Sequence, residues 1–108
     1  MNHNSDIILS AKRIINDNLD SNISGKQVAA TLNMSYSAFR KQFKLHLGKT
    51  PSQYIVENRI EKSKDYLLNT RMTVNAISDK MKFRSVDTFV YNFKKSTGQN
   101  PSVFRKKL

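Results

Sequence analysis

Two stretches decide the fold: FRKQFKLHLGKTPSQY, residues Phe39–Tyr54, and FVYNFKKSTGQNPSVF, residues Phe89–Phe104. Laid over one another at a shift of 50, Phe39 falls on Phe89, Phe43 on Phe93 and Lys44 on Lys94. Gly48 falls on Gly98, Pro51 on Pro101, Ser52 on Ser102 and Tyr54 on Phe104. Upstream the shift drops to 49, with Val28 on Ile77, Leu32 on Met81 and Met34 on Phe83. The chain therefore holds an internal repeat whose copies differ by one residue in the turn between their paired helices. Each copy is a short helix, a turn, and a longer helix with a Phe-x-x-x-Phe-Lys core. That order is the sequence shape of a helix-turn-helix.

Working outward, Gly48 and Gly98 end helices, while Thr50-Pro51 and Asn100-Pro101 start new ones with Thr or Asn as N-cap and Pro in the first turn. Apolar residues recur with helical period in between, predicting seven helices. They are Ile7–Leu19, Gly25–Leu32 (capped by Ser24), Ser35–Leu47, Pro51–Leu68, Val74–Met81, Val86–Ser96 and a short one from Pro101. In the first, Ile7, Ala11, Ile14 and Ile15 share a face; in the long fourth, Val56, Ile60, Ser63 and Leu67 point inward. No stretch sustains a period of two, so no sheet is expected. The reading is an all-α fold, with a first helix-turn-helix subdomain over 1–50, a linker helix over 51–70 and a second subdomain over 71–108.

The composition restricts the partner. The 108 residues carry 19 Lys and Arg against 8 Asp and Glu, a net charge of +11. Such an excess calls for a polyanion, with nucleic acid first and a membrane surface second. No apolar run approaches the roughly 20 residues that span a bilayer, and Met1–Asp6 has no signal-peptide core. Without cysteine there is neither a disulfide framework nor a thiolate metal site, which is compatible with a reducing cytoplasm. His3 and His46 fit no ligand spacing. Phosphate-cradling and nucleophile motifs are absent, and with 3 glycines no such loop is expected. Neither an enzyme nor a cofactor is indicated.

These residues resemble the AraC/XylS family of bacterial transcription regulators over nearly the whole chain, from about Ile7 to Leu108. The sharpest part is Ile77, Phe83, Phe89, Phe93-Lys94-Lys95, Gly98, Pro101 and Phe104. Three positions depart from the pattern: Ser78 replaces the usual Ala, Lys82 stands where Gly permits φ > 0, and Tyr91 stands where Arg is common. The resemblance implies a domain, monomeric on its own, that binds double-stranded DNA with two second helices in successive major grooves, about 34 Å apart. Because the copies differ, the site is expected to be asymmetric, and if the linker is rigid and the spacing imperfect the duplex must bend, at a cost of a few kcal/mol. RNA polymerase is the further partner implied, with activation the family's usual role. The chain fits a stand-alone regulator or the C-terminal piece of a longer one, and the resemblance favours the second.

Helix geometry then selects residues. A recognition helix turns its N-terminal polar face to the groove. With Phe39 and Phe43 inward, Tyr36, Ser37, Arg40 and Lys41 face base edges, and Arg40 suits a bidentate guanine contact. With Phe89 and Phe93 inward, the matching set is Val86, Asp87, Val90 and Tyr91. Val86 or Val90 suits a thymine methyl, and Asp87 fits a cytosine amine or, equally, the N-cap of its own helix. Lys44, Lys49, Arg84, Lys94 and Lys95 suit phosphates, as do the helix starts at Thr50 and Asn100. Bland alternatives stand beside these: Arg40 and Lys41 as solvated charges, Tyr36 as turn packing, Arg105-Lys106-Lys107 as a frayed tail. Lys62, Lys64 and Lys80 read as plain surface, and Arg59 fits a buried pair with Glu57 or Asp65 as well as a solvated position. An RNA binder and a helical interaction module are the rival functions. Exposed aromatics for base stacking are few, which weighs against the first.

Overall fold

The computed structural model describes residues 3–106, and all of its regular structure there is helical. Seven helices follow in order: α1 (His3–Asp17), α2 (Gly25–Thr31), α3 (Tyr36–Leu47), α4 (Pro51–Asn69), α5 (Val74–Lys80), α6 (Val86–Thr97) and α7 (Pro101–Arg105). The chain forms two compact units, Met1–Ile55 and Val56–Leu108.

In the first unit the core is Ile8, Ala11, Ile15, Leu19, Val28, Ala29, Phe39, Phe43 and Ile55. The stripe of α1 is turned slightly from the expected one. Ile8 is buried, whereas Ile7 and Ile14 lie half-buried on its flanks. The reason is periodicity: 8, 11, 15 and 19 keep the 3.6-residue repeat through to Leu19, and 7 does not. In the second unit the core is Ile60, Leu67, Ile77, Met81, Phe89 and Phe93, with Val56 packed at its edge. Ser63 is also buried there, its hydroxyl donating to the Ile60 carbonyl at 2.6 Å.

The repeated aromatics form the same cluster in each unit. Phe43 meets Phe39 at 5.5 Å and Tyr54 at 5.4 Å, the latter edge-on. Phe93 meets Phe89 at 5.8 Å and Phe104 at 5.2 Å, both edge-on. This edge-to-face geometry suits the ring quadrupoles. It also explains why an aromatic recurs three residues after each proline: the next helix drops it onto the Phe pair.

The ends of the helices follow the local chemistry. Ser24 with Gln27 and Thr50 with Gln53 form reciprocal capping boxes. Asn100 caps α7 through Val103 N at 2.9 Å. Gly48 and Gly98 close α3 and α6 at φ of 73° and 82°, each bonding the carbonyl four residues back at 2.8 Å.

Candidate nucleic-acid interface

Each unit places its second helix through a Schellman turn. After α2, Asn33 N bonds the Ala30 carbonyl and Met34 N the Ala29 carbonyl at 2.9 Å. After α5, Lys82 N bonds Asp79 and Phe83 N bonds Ser78, both at 3.1 Å. These are the paired bonds of the motif, and they force the intervening residue into the left-handed region. Asn33 sits at φ 58° and Lys82 at φ 60°. Lys82 thus adopts the conformation that Gly would take there, and the turn keeps its shape without one.

The one-residue difference between the copies is Arg84, which separates Phe83 from the N-cap Ser85; in the first unit Met34 adjoins the N-cap Ser35 directly. The longer turn is braced by Ser78. This hydroxyl is buried and donates to the Ser85 carbonyl at 3.3 Å, where the first unit has Ala29. Ser85 also decides between the two readings of Asp87 as far as capping goes: it, and not Asp87, caps α6, accepting from Thr88 N at 3.1 Å. Asp87 is the second residue inside the helix, and the N3 amide of Thr88 is already taken by the Ser85 hydroxyl.

On α3, Phe39 and Phe43 are fully buried while Ser37, Arg40, Lys41 and Lys44 are exposed. Together with Tyr36 and Leu45 they line one open hollow along the helix. Tyr36 is half-buried, its ring edge against α2: a Cβ added at Gly25 would stand 2.9 Å from it and 3.1 Å from the Pro51 ring. The aromatic is held by the absence of a side chain at 25. At the matching positions the second unit has Val74 and Val86. Leu45, 70% exposed, extends the hollow and was not among the residues expected there. Its apolar character hid it, since sequence patterning assigns leucines to cores.

On α6, Asp87, Tyr91, Lys94 and Lys95 are exposed, and Val86 and Val90 half-buried. Arg84 is exposed in the turn. Arg40, Lys41, Lys44, Arg84, Asp87, Tyr91, Lys94 and Lys95 have no partner among the described residues. Lys49 differs, being half-buried and engaged within the chain. Thr50 and Asn100 spend their side chains on their own helices, as above, so a phosphate there would meet backbone amides.

Other basic residues also have structural work. Arg105 is not a frayed end: Nε donates to the Leu67 carbonyl at 3.0 Å and a terminal nitrogen to the Thr70 carbonyl at 3.4 Å. It closes the C-terminus of α4, where the helix dipole favours a cation. Lys106 is exposed, and Lys107 lies outside the described residues. Lys62 and Lys80 each stand 5.8 Å from the Tyr66 ring, and Lys64 pairs with Glu61 at 2.7 Å. Arg59 is buried, and desolvation holds its pKa below the ordinary value. His46 bonds the Gln42 carbonyl at 2.9 Å as a surface group.

A second signal was available in the sequence. Residues 21–56 contain no Asp or Glu, and none follows Asp87. The carboxylates are kept off both stretches that carry a second helix, apart from Asp87 itself. No helix among the described residues is long and apolar enough to cross a membrane. Those residues also hold no group of three or more His, Asp or Glu placed to bind a metal.

Paired helices joined by a Schellman turn, the second one with exposed basic residues, form a helix-turn-helix, here present twice. A family model described as a helix-turn-helix domain matches residues 28–107. The transcriptional activator NphR of Rhodococcus is 30% identical over 105 residues, which are 96% of this chain and 31% of that protein. The xylose operon regulatory protein of Escherichia coli K12 is 28% identical over 98 residues, 91% of this chain and 25% of that one. The chain spans about a quarter to a third of the length of these relatives. The C-terminal domain of AraT, a response regulator from Geobacillus stearothermophilus, has the same fold, with TM-score 0.90 and 24% identity over 99% of this chain and 89% of that one. So has the DNA-binding domain of AdpA, solved with a target DNA, at TM-score 0.85 and 20% identity over 91% of this chain and 88% of that one. The chain belongs to the AraC/XylS family of transcription regulators and is a DNA-binding domain of that family.

Proposed function

We propose that this domain reads an asymmetric duplex site, α3 in one major groove and α6 in the next, and thereby regulates transcription in the manner of an activator. The observation that carries this is the division of labour on both second helices. The phenylalanines are consumed by the cores, and the exposed Arg40, Lys41, Lys44, Asp87, Tyr91, Lys94 and Lys95 keep no side-chain partner among the described residues. Unpaired exposed cations cost little in the free protein and release counterions on meeting phosphate. Tyr36, Ser37, Arg40 and Lys41 face bases from α3, with Arg40 bidentate on guanine; Val86, Asp87, Val90 and Tyr91 face them from α6. Lys44, Arg84, Lys94 and Lys95 hold phosphates, as do Lys49 and the helix starts after Thr50 and Asn100. NphR is named a transcriptional activator, which supports activation here; RNA polymerase would be the partner of that step. Most relatives' length lies outside the matched region, so a sensing or receiver domain ahead of this one fits the same reading.

Titrating binding to duplex DNA against salt, with competitor RNA, tests it. A steep fall of log K with log[salt] and preference for some duplexes are expected. Equal binding to any RNA, or none at low salt, contradicts it.

A further inference from the structure

The first two turns of α6 are short of hydrogen-bond donors. Between Val86 and Phe93 there is no Lys or Arg. The polar side chains that remain are mostly committed. The Thr88 hydroxyl pairs with the Ser85 hydroxyl at 3.0 Å, and the Asn92 amide donates to the Thr88 carbonyl at 2.9 Å. Asp87, relieved of capping by Ser85, keeps a free carboxylate, which only accepts. Tyr91, 65% exposed, offers one hydroxyl at the far end of a ring. Val90 stands at the repeat position that Arg40 fills on α3, three residues from Asp87 on the same face.

Guanine presents two acceptors to the major groove, so a face of this kind has almost nothing to offer it, and the carboxylate repels it. Thymine presents a C5-methyl group, and adenine and cytosine present amines. Building on the proposed groove docking, we infer that α6 selects its half of the site by base methyl groups. Val90, flanked by Val86 and Tyr91, covers a thymine methyl, and Asp87 selects a neighbouring base with an exocyclic amine. The two helices thus read by different chemistries, donors to guanine from α3 and apolar contact plus an acceptor from α6.

The test uses duplexes selected from a random pool by the full chain. The α6 half is the one whose preference survives Arg40→Ala. Replacing a contacted thymine there by uracil removes only the methyl and lowers affinity about fourfold, the worth of one buried carbon. Val90→Ala, checked for folding by its melting curve, abolishes that uracil effect. Replacing guanine by 7-deazaguanine weakens binding in the α3 half only. Uracil without effect in the α6 half, or a 7-deazaguanine loss there, overturns the inference while leaving groove reading intact. Failure to select any preferred duplex contradicts the proposed function itself, and the inference falls with it.

Discussion

Lys82 illustrates what a single residue reveals only in three dimensions. Its φ of 60° places an L-residue in the left-handed region, which costs about 1–2 kcal/mol. Gly would avoid that cost but lose about 0.5–1 kcal/mol of chain entropy. Lys82→Gly is therefore expected to stabilise the second unit by about 0.5–1 kcal/mol, seen as a rise in melting temperature of a few degrees. Gly25 argues the other way. A methyl group there meets the Tyr36 ring at 2.9 Å, so Gly25→Ala should destabilise by about 1–3 kcal/mol through overpacking. A denaturation midpoint unchanged by Gly25→Ala would show that the ring swings aside freely. Lys94→Ala belongs to this scale too. It should weaken binding to all duplexes about equally and lower the salt slope by about 1.

At the scale of elements, the helices were legible because their signals are local. Ser24-x-x-Gln27, Thr50-x-x-Gln53, Gly48 and Gly98 each mark an end through bonds within a few residues. The Phe-x-x-x-Phe spacing fixed the inward faces of α3 and α6, and so fixed their outward faces. What sequence reading lost was non-local. Nothing near Arg105 announces that its guanidinium reaches carbonyls 35 and 38 residues earlier. Nothing at Ser78 announces a bond seven residues on, into a turn one residue longer than its counterpart. The role of Asp87 stayed open between capping α6 and facing a base, because Ser85 competes for the capping role two residues before it. Arg105→Ala leaves the α4 carbonyls without this partner and should cost about 1–2 kcal/mol, a charged hydrogen bond discounted for partial exposure. Thermal unfolding of the variant measures it.

For the molecule as a whole, the two units share a design and differ in what they present. The shared part is the core, with the same aromatic triad under the same Gly-x-x-Pro-Ser junction. The differing part is the outward face, rich in donors on α3 and nearly without them over the first two turns of α6. Fold and family were legible because a repeat states the architecture twice. The candidate DNA-facing residues were legible as positions, since they are what remains once the cores are filled. Their commitments were not, because only coordinates show that Thr88 and Asn92 are occupied while Asp87 is free. Charge acts at this scale as well. Lys44, Arg84, Lys94 and Lys95 on four phosphates would contribute a slope of about −3.6 to log K against log[salt]. On the proposed reading the two units divide base recognition, with Arg40 supplying the guanine contact from α3. Duplex selection by the wild-type chain and by Arg40→Ala, in parallel, tests it most directly. The expected result is loss of preference at one guanine, worth about 1–3 kcal/mol, with the other half of the site unchanged. Identical preferences from both proteins would contradict the account.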